Sequence, residues 1–185
     1  MLHIVLAAVA DAVPRIVVGP RRELPAGVLT TREDPPAGGP VAALAAGLSL
    51  IPDGVDQVAL LAADLPFLTT EAVTLLRRAI PVAMPAEAAV RGGTATEAMV
   101  PSAAVPEAAV YTDVNRRQLL CAVWRHDALR RRLAVLGDPA GLALRQLYAA
   151  ATVTEITSQD HPPPWYDCDT EADLRQAEAW LEGDR

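Results

Sequence analysis

The chain has 185 residues and a formal net charge of -7, and all 16 of its basic residues are arginine. That length makes one domain, residues 1–185; the acidic balance excludes a nucleic-acid surface, and the absence of lysine excludes Schiff-base chemistry or a lysine phosphate clamp. Two cysteines and three histidines show no disulfide or zinc spacing and fit a reducing cytoplasm, and no apolar run nears the ~20 residues that span a bilayer.

Leu2, Val5, Leu6, Val9 and Val13 repeat at helical spacing, which predicts an amphipathic helix up to the break at Pro14, rather than a secretion signal, which would need a basic start. The β-branched run RIVVG (15–19) and then VLTT (28–31) read as strands. Prolines and glycines in REDPPAGGP (32–40) cannot continue regular structure, so this is a loop and a candidate ligand site. Val41, Leu44, Leu48 and Ile51 mark a second helix, stopped by Pro52, Asp53 and Gly54. The apolar run LLAADLPFL (60–68) reads as a buried strand that delivers Asp64 at its carboxyl end, and Thr69 or Thr70 caps a helix through Ala79.

Residues 81–115, rich in Ala, Pro, Val and Glu, read as a variable insertion with weak strands at AMV (98–100) and AAVYT (108–112). QLLCAVWR (118–125) is a clearer strand. Asp127 then starts a helix that turns Leu129, Leu133 and Leu136 inward, with Arg130, Arg131 and Arg132 on a solvated face. Asp138 and Pro139 open a helix to about Ala150, TVTEIT (152–157) is a strand, and HPPPWYDCDT (161–170) leads into a last helix over 170–182. Strands alternating with helices predict an α/β fold, a three-layer α/β/α sandwich with a mainly parallel sheet.

Three distant segments bring polar groups to loop positions: Asp34 with Gly38 and Gly39, then Asp64, then Asp167 and Asp169. Ligands of open α/β sheets bind outside the carboxyl ends of strands, where two converging carboxylates suit Mg²⁺ and glycines let backbone approach a base or ribose. Each signal has a structural alternative. Asp64 can cap the next turn, Thr170 with Asp173 fits a capping box that explains the DCDTEAD segment, and Gly38–Gly39 fits a plain tight turn.

GPVAALAAGL (39–48), LLAADLPFL (60–68), CAVWRHDALRRRL (121–133) and DCDTEADLRQA (167–177) occur in the order found in molybdenum-cofactor guanylyltransferases, and the chain resembles that family over nearly its whole length. The resemblance implies the nucleotide-diphospho-sugar transferase fold and transfer of GMP from GTP to molybdopterin with release of pyrophosphate. By the same likeness Asp64 is a Mg²⁺ ligand and catalytic residue, Asp169 the second metal-side residue with Asp167 as its competitor, and Asp34, Gly38 and Gly39 the guanosine loop. Molybdoenzymes or their chaperones are the implied partners. The family's opening strand, its LAGGxSxRMGxDK loop and its lysine have no counterpart here, so the resemblance predicts an N-terminally incomplete domain. Two other readings stand beside the guanylyltransferase: a cytidylyltransferase relative, and a catalytically degenerate domain that binds nucleotide, cofactor or a molybdoenzyme.

Overall fold

Side chains alternate across the two central strands, and that alternation sets the layers. In a computed structural model, which describes residues 1–81, 105–114 and 116–183, β4 (Ala108–Asp113) and β5 (Arg116–Arg125) lie antiparallel. Ala109, Tyr111, Cys121 and Val123 point to one core, and Ala108, Val110, Ala122 and Trp124 point to the other. The period of two that splits a strand's residues between faces thus makes two cores from one sheet. Helices α1 (Leu2–Ala8) and α3 (Thr70–Arg78) cover the first face. The second is covered by α2 (Pro40–Leu48), α4 (His126–Leu136) and α5 (Leu144–Tyr148).

The larger sheet has the order β3-β5-β4-β6, with β3 at Gln57–Leu61 and β6 at Val153–Ile156. A separate parallel pair is formed by β1 (Arg15–Val18) and β2 (Val28–Thr31). β4 and β6 are parallel, whereas β5 runs antiparallel to both of its neighbours. The α/β sandwich is as expected, but its sheet is mixed rather than mainly parallel, because β4 turns directly into β5 without the helical crossover that a parallel pair requires.

Trp124 is fully buried; its indole N–H donates to the Tyr148 hydroxyl (2.9 Å), which donates in turn to Leu119 O (2.9 Å). Truncating such a side chain to alanine costs about 3–5 kcal/mol. On the opposite face the Tyr111 hydroxyl donates to Ala72 O (3.0 Å), and this ties α3 to the sheet. Thr69 caps α3 through Ala72 N (3.1 Å), and the Gln57 amide donates to Arg77 O and Ile80 O at its other end.

Three expected elements differ. The first helix stops at Ala8, with Val9 as its C-cap, and Val13, 86% exposed, lies outside it; Pro14 disfavours helical backbone at Val13. The helix expected from Asp138 is only Leu144–Tyr148, since the Asp138 carboxylate accepts from Ala140 N (3.0 Å) and Gly141 takes φ +74°. Within the stretch 81–115 read as an insertion, residues 108–113 form β4, one of the two central strands, with Ala108 to Tyr111 wholly buried; the strand expected at 98–100 lies outside the described residues. Among the described residues no helix is long and apolar enough to cross a membrane.

Candidate functional site

The loop after β3 carries Asp64 three residues beyond the strand, half-buried, with Leu65 and Leu68 anchored in the first core. The segment before α6 (Glu171–Gly183) brings Asp167 and Asp169 to the same place. A cleft of about 210 Å³ is bordered by these three aspartates together with Gln118, Cys121 and Trp165. Trp165 is held by Tyr111, their ring centres 5.0 Å apart, and Phe67 and Tyr166, tilted against each other, each meet Trp180 edge to face and fasten α6 beside the Asp64 loop.

The capping pattern near Thr170 is present but does not use the cleft carboxylates. Thr170 N donates to the Asp173 carboxylate (2.8 Å) and Asp173 N donates to the Thr170 hydroxyl (3.2 Å), a reciprocal box that satisfies the start of α6. No hydrogen bond or ion pair among the described residues engages the side chains of Asp64, Asp167 or Asp169. Their charge is felt nearby: desolvation first, then the Asp173, Asp64 and Asp167 carboxylates, push the Cys168 thiol above its ordinary range. Burial alone pushes Cys121 up to about 12, so it is no nucleophile at neutral pH.

Asp34, Gly38 and Gly39 do not border this cleft. Asp34 is exposed on the loop between β2 and α2. Gly38 is buried, its N–H donating to Pro35 O (3.1 Å) and its carbonyl accepting from Gly141 N (2.7 Å); a Cβ there would lie 2.9 Å from both Pro35 O and Ala42 Cβ. Gly39 adopts φ +89° as the N-cap of α2, with Pro40 at the first helical position. The arginine cluster is committed elsewhere, Arg130 to Asp53 (2.9 Å), Arg131 to Asp127 (2.7 Å) and Arg132 to Glu107 (2.6 Å).

Gln118 and Trp165 were not singled out by the sequence. Gln118 lies in a strand already recognised, but nothing local marks which residue of that strand meets the cleft. Trp165 stands two residues before Asp167, and an aromatic beside an acidic loop was the available signal.

Fold and site together define an α/β domain with an acidic cleft. The chain belongs to the MobA-like NTP transferase domain family, whose sequence profile matches residues 1–156. Asp167 and Asp169 lie beyond that match. Among solved structures, the 2-C-methyl-D-erythritol 4-phosphate cytidylyltransferase of Thermus thermophilus is similar at 19% identity and a TM-score of 0.61, over 98% of this chain and 88% of that one. The molybdopterin-guanine dinucleotide biosynthesis protein A of Archaeoglobus fulgidus is similar at 15% identity and a TM-score of 0.54, over 84% of this chain and 69% of that one. These likenesses establish the nucleotide-diphospho-sugar transferase fold. No curated protein sequence matches the chain.

Proposed function

We propose that this protein is a Mg²⁺-dependent guanylyltransferase of molybdenum-cofactor maturation. In that reaction a phosphate oxygen of molybdopterin forms a bond to the α-phosphorus of GTP, the bond from that phosphorus to the β-phosphate bridging oxygen breaks, and pyrophosphate leaves. The product would pass to molybdoenzymes or their chaperones. The observation that carries this reading is the set of aspartates, Asp64, Asp167 and Asp169, that border one cleft and are committed to no other described group.

Their chemistry fits the metal. Carboxylate oxygens are the donors Mg²⁺ prefers, and no group of three His, Cys, Asp or Glu among the described residues is close enough to enclose an ion. A partial ligand set of Asp64 with Asp169 or Asp167 leaves positions for waters and phosphate oxygens, which is how Mg²⁺ is held in nucleotide sites. When bound, it would neutralise charge that develops on the transferring and leaving phosphates. Asp64 orients that end of the triphosphate, Trp165 walls the cleft, and the Gln118 amide supplies a donor toward phosphate oxygens. The Asp34 loop, by this reading, recognises guanine by hydrogen bonds that another base leaves unpaired.

The test is pyrophosphate release and product formation from GTP, CTP and ATP with molybdopterin, by the protein expressed from its natural reading frame, with and without Mg²⁺. GTP- and Mg²⁺-dependent turnover that Asp64→Asn abolishes is the expected result. Turnover with CTP alone would make the protein a cytidylyltransferase; nucleotide binding without turnover would make it a degenerate binding domain. Either would overturn the proposal.

A further inference from the structure

Strand β5 runs on past one of its neighbours. β3 ends at Leu61, opposite Cys121, and Ala62 N still donates to Leu120 O (2.8 Å), so residues 116–119 extend beyond β3 beside the loop that carries Asp64. On its other edge β5 pairs with β4 as far as Asp113 opposite Arg116, and this hairpin stands at the carboxyl ends of β3 and β4. The pairing is not regular. Val110 lies opposite Ala122 but Thr112 lies opposite Arg117, so β5 uses more residues there than β4 does. Such a bulge resets which face each side chain takes.

Val110 and Ala122 belong to the second core, and Thr112, two residues on from Val110, keeps that side together with its partner Arg117. The Arg117 guanidinium agrees, since it donates to Glu155 (2.7 Å), whose cross-strand partner is Val110. Arg116 and Gln118 therefore face the other way. That is the side of the first core, where Cys121, Trp165 and the three aspartates border the acidic cleft, and Gln118 indeed borders it. Arg116 stands two residues farther out, about 7 Å along the strand. It is exposed, and among the described residues its side chain makes no hydrogen bond or ion pair, not even with Asp113 directly opposite.

We propose that Arg116 is the rim residue of the acidic cleft that binds the phosphate of the acceptor substrate and so selects a phosphate-bearing acceptor. This rests on the proposed reaction, and position decides which substrate the residue meets. β1 and β3 border a common cleft with β2 and β5 on their far sides, so the Asp34 loop after β2 and the β4–β5 hairpin lie on opposite sides of Asp64. With the base on the Asp34 side, the group that reaches the hairpin is the one that attacks. That group is a phosphate monoester, and carboxylates with no described partner repel it. A guanidinium at the rim offsets the repulsion and offers two parallel N–H donors to the oxygens that do not attack, with the Gln118 amide one step farther in. Arg116 positions the acceptor and takes no proton.

Steady-state kinetics with GTP and molybdopterin varied in turn test the assignment. Arg116→Ala should raise KM for the acceptor about tenfold or more while KM for GTP and kcat stay close to wild type, and Arg116→Lys, which keeps the charge without the fork, should recover part of the loss. Arg117→Ala, on the other face, should match wild type in every constant. A rise in KM for GTP instead of the acceptor, or equal losses in the two alanine variants, would overturn the assignment. Binding separates it from the reaction itself. Phenyl phosphate, a plain phosphate monoester, titrated calorimetrically with Mg²⁺ present, should bind wild type about tenfold more tightly than Arg116→Ala. Without GTP turnover the proposed reaction fails while that difference still supports the rim site. Equal or undetectable binding by the two proteins overturns the rim site, whatever the turnover.

Discussion

Gly38 has no room for a side chain: a Cβ would meet Pro35 O and Ala42 Cβ at 2.9 Å, and its carbonyl already holds Gly141 N. Asp64 stands at the corresponding place after another strand and meets no described donor at all, although it is half-buried. The two loops therefore differ in what they explain by themselves. Fold geometry alone accounts for the glycines, whereas a carboxylate drawn partly out of water without a partner loses hydration with nothing in return. Residues conspicuous in sequence are functional candidates to the degree that packing leaves them unexplained, and by that measure the acidic cleft outranks the glycine loop.

The largest expected effect is that of Asp64→Ala. On the proposed reading, loss of the carboxylate that would hold Mg²⁺ should lower kcat/KM roughly a hundredfold to thousandfold, with stability changed by no more than about 0.5 kcal/mol. Near-normal turnover in the purified variant would place Asp64 among the merely structural loop residues and erase the contrast. Gly38→Ala should do the reverse, destabilising the protein by about 1–3 kcal/mol in urea unfolding as Pro35 and Ala42 are pushed apart. If that variant unfolds at the wild-type midpoint yet binds GTP poorly, the glycine loop is a ligand site after all.

Most of the elements that carry these loops were legible in the sequence, for reasons that can be named. VLTT is β2 to the residue, and Thr69 is the cap of α3, because β-branched runs and capping hydroxyls act locally. AAVYT gives only a weak strand signal, although it is the most buried strand, because a strand covered on both faces shows no alternation of apolar with polar residues. The convergence of Asp64 with Asp167 and Asp169 was anticipated from strand ends. The same reading expects the Asp34 loop to join them, and it does not border the cleft, since loop direction depends on tertiary packing such as the Gly38–Gly141 bond. Gln118 stayed hidden for the same reason.

Within the cleft, Asp169→Asn and Asp167→Asn divide the second carboxylate's role. Asp169→Asn should cost about tenfold or more in kcat/KM, and Asp167→Asn less, because on the proposed reading one of the pair would ligate Mg²⁺ while its neighbour contributes mainly charge. The order is read by assaying the two separately at saturating and limiting Mg²⁺. A larger loss in Asp167→Asn would exchange their roles and leave the cleft assignment standing.

The smallest effect is a change of field, and it separates the two loops without any enzymatic assay. Desolvation and the charges of Asp173, Asp64 and Asp167 raise the Cys168 pKa, so at a fixed pH near 8 only a small fraction is thiolate. Removing one of those negative charges lowers that pKa and raises the thiolate fraction, and alkylation by iodoacetamide should quicken. Asp64→Asn should therefore alkylate at Cys168 a few-fold faster than wild type, a size consistent with about 1 kcal/mol between charges near water. Asp34→Asn should leave the rate unchanged, because Asp34 is not among the groups that act on Cys168. Buried Cys121, with its thiol held up to about 12, should stay unmodified in each folded variant and so serves as the internal control. Equal rates for Asp64→Asn and Asp34→Asn would mean that the Asp64 carboxylate does not face the acidic segment in solution, and the cleft would lose the convergence on which its ranking above the glycine loop depends.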